Sequence, residues 1–280
     1  MRDLARGDPT SSGDNNTALE ESSTERAFRE RGETRVLRQA LKEIGIDAPV
    51  HYDEVTTSTN STALRLAELG YPEWTIAAAG HQTAGRGRLG RTWVSAPGQS
   101  LLFSMVLRPD LEADGAVLVT LLAGAAMAEA CHSVAGADVR CKWPNDLVLR
   151  EGKVGGILIE AKVHDRRIEH LVVGMGINVG DPPAGVENAA AVRADAIQLL
   201  VAFLRRFREI YPPIGPAFGP AILRAYTPLC ATLGRQVRAR TMDGRIVEGM
   251  GVDIDRGGNL LVRTEDGTHT VGFGEIEHLD

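Results

Sequence analysis

A short basic segment rich in glycine is the part of this sequence best suited to binding an anion. It runs from Gly85 to Trp93 and reads Gly-Arg-Gly-Arg-Leu-Gly-Arg-Thr-Trp. Arginine supplies forked donors that match phosphate and carboxylate, and glycine lets the backbone approach anionic oxygens closely. Because like charges repel and glycine is costly to order, we expect this arginine–glycine loop to be mobile without ligand and to fold over a bound anion. A solvated basic loop without a function is the alternative.

The same segment also satisfies the G-x-G-x-x-G pattern of dinucleotide-binding folds. That pattern requires a helix directly after the last glycine. Here Thr92-Trp93-Val94 favours a strand, and Pro97-Gly98 interrupts the chain soon afterwards. A Rossmann oxidoreductase is therefore disfavoured, and a failure to bind nicotinamide nucleotides would exclude it.

A second polar group follows a predicted strand, in the sequence Lys142-Trp143-Pro144-Asn145-Asp146. Pro-Asn-Asp is a good turn, which could be its whole role. At a strand end, however, Asn145 and Asp146 can also face a ligand. Lys153 begins the next strand and is followed by Gly155-Gly156, so its position is fixed at a strand mouth where the backbone can be approached closely.

A third group, Ser58-Thr59-Asn60, comes just before a run with helical periodicity. These residue types are common helix N-caps. A helix N-terminus also presents free N–H groups that can bind a polar ligand, so the capping and binding interpretations are compatible.

The elements that must position these groups are an alternation of strands and helices, followed by a change of texture near Leu233–Gly234. We predict a disordered polar tail (1–32), an α+β domain with a mixed sheet packed by helices (33–233) and a small antiparallel β-barrel (234–280). The predicted strands are Thr75–Ala79, Ser100–Leu107, Val139–Lys142, Leu147–Leu149, Gly156–Val163 and His170–Ile177, and the predicted helices are Thr34–Ile46, Asn60–Gly70, Gly115–Val134, Val192–Tyr211 and Pro216–Leu229.

Composition limits the classes of function. The net charge is −6, and only one short helix precedes the central domain, so we expect no nucleic-acid partner. We find no secretory signal and no apolar run of about 18 residues, which predicts a cytoplasmic protein without a membrane partner. The three cysteines and seven histidines show no metal-ligand spacing, so a structural metal is not expected.

Taken together and in this order, the motifs resemble those of the biotin–protein ligase family. The resemblance rests on Ser58-Thr59-Asn60, Gln82, Gly85–Trp93, Lys142–Asp146, Lys153–Glu160 and Gly174-Met175-Gly176-Ile177-Asn178. It implies a class II synthetase or biotin–lipoate ligase fold with an SH3-like C-terminal barrel. Some members carry an N-terminal winged helix-turn-helix, but this chain resembles the single-function class.

The resemblance also implies roles for individual residues. Lys153, Arg88 and Arg91 would be catalytic, and Asp146 is a candidate for a place near Mg²⁺. The biotin site would comprise Ser58, Thr59, Asn60, Gln82, Arg86, Gly87, Arg88, Lys153 and Gly156, and the nucleotide site Arg91, Trp93, Asn145 and Asn178.

The implied activity is that of an ATP-dependent ligase. It would activate biotin to biotinyl-5′-AMP, with Mg²⁺, and transfer biotin to a lysine of a biotin carboxyl carrier protein such as that of acetyl-CoA carboxylase. A lipoate or octanoate ligase of the same fold is the nearest alternative, although its acyl substrate lacks the ureido ring that the polar set would bind. A DNA-binding repressor is the alternative from another class.

Overall fold

The computed structural model describes residues 32–211, 214–215, 217–241, 244–272 and 274–279. The predicted disordered tail therefore lies, except for its last residue, outside the described residues, as does Pro216 at the start of one predicted helix. Residue 32 belongs to the first helix, α1 (residues 32–43).

A seven-stranded sheet forms the larger part of the fold. Its strand order is β1-β2-β3-β7-β6-β5-β4, with β1 parallel to β2 and the other neighbouring pairs antiparallel. The strands are β1 (Val50–Thr56), β2 (Ile76–Gln82), β3 (Ser100–Leu107), β4 (Val139–Lys142), β5 (Asp146–Leu149), β6 (Gly152–His164) and β7 (Arg167–Asn178).

Helices cover both faces of this sheet. On one face α2 (Thr59–Glu68) buries Ala63 and Leu66 against Ala77 and Val106. Strand residues alternate between faces, so the neighbours of Ala77 and Val106 join the main core on the opposite face. That core also takes residues from α1, α3 (Ala116–Ala135), α4 (Ala196–Ile210) and α5 (Phe218–Tyr226).

Helix α3 corrects one expectation from the sequence. The segment Ala113–Ala135 is long and apolar enough to cross a membrane by length and composition, whereas we expected no such run. Within the fold, 72% of its most apolar 18-residue window is buried, and the core helix of a globular protein passes the same test. The helix ends at Gly136, whose φ of 62° is readily adopted by glycine.

The C-terminal strands form a separate five-stranded antiparallel sheet in the order β11-β10-β9-β8-β12. Trp143 joins the two sheets, because its Nε1 donates to Gly258 O at 2.9 Å and its backbone N donates to Thr232 Oγ1 at 3.0 Å. The predicted fold class is confirmed. The strands are β8 (Gln236–Thr241), β9 (Ile246–Ile254), β10 (Leu260–Thr264), β11 (Gly267–Val271) and β12 (Gly274–His278).

Candidate active site

A cleft of about 350 Å³ lies where the two sheets and the arginine–glycine loop meet. The residues that we expected at a site converge on it from distant parts of the chain. Those lining the cleft are Ser58, Thr59, Asn60, Gln82, Arg86, Gly87, Arg88, Arg91, Trp93, Asn145, Asp146, Lys153 and Gly156.

One end of the cleft is buried and carries no charge. We call Ser58, Thr59, Asn60 and Gln82, which line the cleft, and Ser104, which hydrogen-bonds to Asn60, the neutral end. Gln82 Oε1 accepts from Thr59 N at 2.7 Å and from Thr59 Oγ1 at 3.2 Å, which fixes the start of α2 against β2. Ser58 occupies the N-cap position, but its side chain makes no capping hydrogen bond. Its hydroxyl is therefore not committed to the cap, which favours the ligand-binding interpretation of this motif.

Two glycines of β7 form the floor of the cleft. A Cβ on Gly174 would lie 1.7 Å from Asn60 Oδ1, and a Cβ on Gly176 would lie 2.5 Å from Trp93 Cε2. The two positions are two residues apart and so share one face of the strand. Because neither position carries a side chain, Asn60 packs directly against Gly174 and the Trp93 indole packs directly against Gly176.

The arginine–glycine loop folds back on itself as a narrow hairpin. Gly87 N donates to Arg91 O at 2.7 Å, and Trp93 N donates to Gly85 O at 3.0 Å. Gly85 allows this close approach, since a Cβ there would lie 2.7 Å from Trp93 O. Gly90 has a φ of 75° at the tip, a conformation that L side chains rarely adopt. The predicted mobility of the loop without ligand stays a prediction.

The other end of the cleft is charged. We call Arg86, Arg88, Arg91, Asp146 and Lys153 the charged end. Lys153 Nζ lies 2.7 Å from Asp146 Oδ1. Arg88 Nη1 donates to Asn145 Oδ1 at 2.7 Å and Nη2 to Gly274 O at 3.2 Å, which brings the second sheet to the loop. Arg91 pairs with Glu275 of β12.

Burial tunes two of the cations in this region. It lowers the pKa of the Arg88 guanidinium, which remains charged at neutral pH. Burial also lowers the pKa of the Lys142 amine; nearby Asp146 opposes the shift and nearby Lys153 adds to it. Seven basic and three acidic side chains line the cleft, so the region has excess positive charge that an anion could neutralise.

Asn178 is the predicted site residue that does not line the cleft. It is 2% exposed at the end of β7, where its Nδ2 donates to Ala190 O at 2.9 Å. Ala190 N in turn donates to Lys153 O at 2.8 Å. In this structure Asn178 therefore holds the segment that pairs with the backbone of Lys153, and its place in the nucleotide site stays a prediction.

Several lining residues were not assigned a role from the sequence. Lys142 is the first residue of the Lys142–Asp146 motif, so the sequence could have indicated it as a site residue. The residues from the C-terminal sheet carry no local signal, because tertiary packing alone brings them to the cleft. They are Arg238, Arg240, Gly274, Glu275, Ile276 and Glu277.

The carboxylates at the cleft bear on the expected Mg²⁺. Within the ranges that the structure describes, no cluster of three or more His, Cys, Asp or Glu side chains could hold a metal by itself. Mg²⁺ in nucleotide enzymes is commonly held by one or two carboxylates together with substrate phosphates. Asp146, which lines the cleft beside Lys153, fits that arrangement.

The fold and the cleft define an α+β protein whose cleft has uncharged polar groups at one end and charged groups at the other. Comparison with known proteins gives a specific family. Residues 52–178 match the model of the Biotin/lipoate A/B protein ligase family, and residues 232–279 match that of the Biotin protein ligase C terminal domain.

Individual relatives agree with these matches. The chain is 34% identical to the Bifunctional ligase/repressor BirA of Bacillus subtilis, over 86% of this chain and 77% of that protein. It is 32% identical to the Biotin--[acetyl-CoA-carboxylase] ligase of Paracoccus denitrificans, over 79% of this chain and 97% of that protein. The solved biotin protein ligase of Aquifex aeolicus, in complex with biotin and ATP, superposes with a TM-score of 0.66 at 26% identity, over 82% of this chain and 97% of that one. The chain belongs to the biotin protein ligase family.

Proposed function

We propose that this protein activates biotin with ATP to biotinyl-5′-AMP and transfers the biotinyl group to a lysine of a biotin carboxyl carrier domain. The observation that carries the proposal is the meeting, in one cleft, of a neutral hydrogen-bonding end with a charged end at Lys153. Biotin has the same division, with an uncharged ureido ring at one end and a carboxylate at the other.

The first step must bring two anions together, the biotin carboxylate and the α-phosphate of ATP. Lys153 and Arg88 offset their repulsion from fixed positions, which is how preorganised charges lower a barrier. A carboxylate oxygen bonds to the α-phosphorus, and the bond to pyrophosphate breaks. Asp146 would hold Mg²⁺, which supplies further neutralisation of phosphate charge when bound.

The second step transfers the acyl group. The amine of the carrier lysine attacks the acyl carbon, loses a proton, and AMP leaves. Because water would hydrolyse the mixed anhydride, a loop that closes over it protects the intermediate. The arginine–glycine loop contributes Arg86, Arg88 and Arg91 to the cleft lining, which supports this role for it.

The name of the Paracoccus relative supports a carrier domain of acetyl-CoA carboxylase as the acceptor. The test is mass spectrometry of such a domain after incubation with the protein, biotin and ATP. We expect a mass increase of one biotinyl group that requires both small molecules. An unmodified carrier in the presence of both, with a known ligase modifying it in parallel, would reject the proposal.

A lipoate or octanoate ligase remains the alternative, because the matching family model covers biotin and lipoate ligases together. The neutral end favours biotin, since a linear acyl chain makes no use of buried hydrogen-bonding groups there. The same experiment with lipoate or octanoate and a lipoyl domain separates the two. Modification by those acids and none by biotin would replace the proposal with this alternative.

A further inference from the structure

Glu160 of β6 receives hydrogen bonds from two different parts of the site on one carboxylate oxygen. Asn60 Nδ2, in the first turn of α2, donates to Glu160 Oε2 at 2.8 Å. Arg86 Nη2, in the arginine–glycine loop, donates to the same oxygen at 2.7 Å. Glu160 therefore joins the neutral end of the cleft to the loop.

Asn60 is held too firmly to follow the loop if the loop moves. Its Oδ1 lies 2.6 Å from Ser104 Oγ, and its Nδ2 also donates to Leu158 O at 3.3 Å. Gly174 lies directly beneath it. With both polar atoms of its amide engaged by the protein, Asn60 serves as the fixed end of the connection to Glu160.

The connection continues into the pocket. Thr59 N donates to Gln82 Oε1 at 2.7 Å, and Thr59 Oγ1 lies 2.8 Å from Ser104 Oγ. The Ser104 hydroxyl proton goes to Asn60 Oδ1, so the Thr59 hydroxyl proton serves the contact between Thr59 and Ser104. One series of hydrogen bonds thus runs from the wall of the proposed ureido site to the loop. Its members are Gln82, Thr59, Ser104, Asn60, Glu160 and Arg86.

The members of the series differ in exposure: those at the pocket are buried, and those at the loop are partly exposed. Thr59, Asn60 and Ser104 are at most 4% exposed, whereas the side chains of Glu160 and Arg86 are 27% and 42% exposed. Half-exposed ion pairs are screened by water and salt, so the Arg86–Glu160 pair is the link that can open.

We propose that Glu160 is a positioning residue that holds the arginine–glycine loop over the cleft by binding Arg86 from a site fixed to the biotin pocket. This inference rests on the proposed function for its consequence, namely tighter binding of biotin and retention of biotinyl-AMP. The holding contact itself is a property of the ligand-free chain and can be tested without any assumption about substrate.

The first test measures trypsin cleavage of the full chain without ligand, with products after Arg86, Arg88 and Arg91 identified by mass spectrometry. We expect Glu160→Gln to accelerate cleavage at these three sites about 3- to 5-fold, the range of a partly exposed ion pair. Glu169→Gln is the matched control. It breaks an exposed ion pair between Glu169 of β7 and Lys162 of β6 (3.2 Å), and β6 is also the strand that carries Glu160. Neither residue of this control pair lines the cleft. Equal cleavage of the wild type and Glu160→Gln would overturn the proposal.

The second test uses biotin-dependent ATP–pyrophosphate exchange and a double-mutant cycle. Glu160→Gln should raise the KM for biotin about 3- to 5-fold with a smaller change in kcat, and the effect should fall below about 2-fold in an Arg86→Gln background. If Glu160→Gln acted by destabilising the whole fold, its effect on the KM for biotin would persist in the Arg86→Gln background. Such additivity would overturn the proposal. If the wild type shows no exchange, the proposed function fails, while the cleavage test still decides the role of Glu160.

Discussion

The two ends of the cleft differ in burial and in charge. The neutral end is largely buried, and apart from the Glu160 carboxylate the hydrogen-bond partners of the Thr59 and Asn60 side chains are uncharged. The charged end is open to solvent, with the side chains of Lys153 and Arg91 44% and 70% exposed. A buried group that loses its partner pays a large desolvation cost, whereas an exposed ion pair exchanges partners cheaply.

This difference suggests that the two ends have different roles in binding. The neutral end can reject ligands that fail to make its hydrogen bonds. The charged end can release Lys153 from Asp146 and Arg91 from Glu275 when a stronger anion arrives. We expect these two cations to stay paired with protein carboxylates until substrate takes their place, and the predictions below test the contrast between the two ends.

The largest effect is expected at the charged end, from Lys153→Ala. Loss of a positioned charge at the reacting groups should slow adenylate formation about 100-fold or more. The measurement is biotin-dependent ATP–pyrophosphate exchange, with the thermal midpoint as a check on folding. Lys162→Ala removes an exposed lysine from the same strand and should leave exchange unchanged. Arg88→Ala should resemble Lys153→Ala; wild-type exchange in both variants would reject the assignment of this end.

Substitutions on the floor of the cleft should separate the two ends. Gly174→Ala displaces Asn60 and should raise the KM for biotin, whereas Gly176→Ala displaces the Trp93 indole and should raise the KM for ATP. We expect about 10-fold in each case, since overpacking typically costs about 1–3 kcal/mol.

The two glycines are controls for each other, because they share one strand and one face. Gly272→Ala, where a new Cβ makes an ordinary 3.6 Å contact with Asn259 Oδ1, controls for the effect of adding a methyl group elsewhere. If Gly174→Ala and Gly176→Ala change both KM values equally, the cleft is one undivided site and the comparison fails.

The sequence predicted the apolar core of the sheet well. Ser100–Leu107 and Val139–Lys142 were placed at their observed bounds. For Ser100–Leu107 this succeeded because every residue is buried and six of the eight are apolar. The prediction missed β1 (Val50–Thr56). This strand lies at a sheet edge, and most of its side chains are exposed or only partly buried, so it has no apolar run. The prediction also began α4 at Val192, although Asp195 caps the helix by accepting from Gln198 N at 2.8 Å.

The site was predictable only in part, for a similar reason. Motifs such as Gly85–Trp93 carry their chemistry in consecutive residues, so composition reveals them. Ser104 acts through a partner 44 residues away in the chain, and no local pattern marks it. Glu160 ends the Lys153–Glu160 motif, but its partners lie 74 and 100 residues away, so the motif alone did not indicate its role. Arg240 and Glu275 reach the cleft only because the second sheet packs against the first.

Salt should distinguish the two ends without any mutation. Raising the ionic strength from about 0.05 M to about 0.5 M should raise the KM for biotin about 3-fold, because its carboxylate meets partly exposed cations. The primary amide of biotin lacks that charge, so its inhibition constant as a competitor should change less than 2-fold. Exchange kinetics at saturating ATP measure both quantities. An equal response of acid and amide would show that the neutral end also depends on charge.

The smallest effect is expected from Glu275→Gln, which frees Arg91 from its carboxylate partner. The pair is largely exposed, so the variant should lose less than about 1 kcal/mol in the free energy of unfolding, measured by denaturant titration. If Arg91 is stored on Glu275 until phosphate arrives, removal of the competitor should lower the KM for ATP, by about 2-fold. A raised KM would mean instead that Glu275 holds Arg91 in its working position. The sign of this small change therefore distinguishes a storage partner from a positioning one at the charged end.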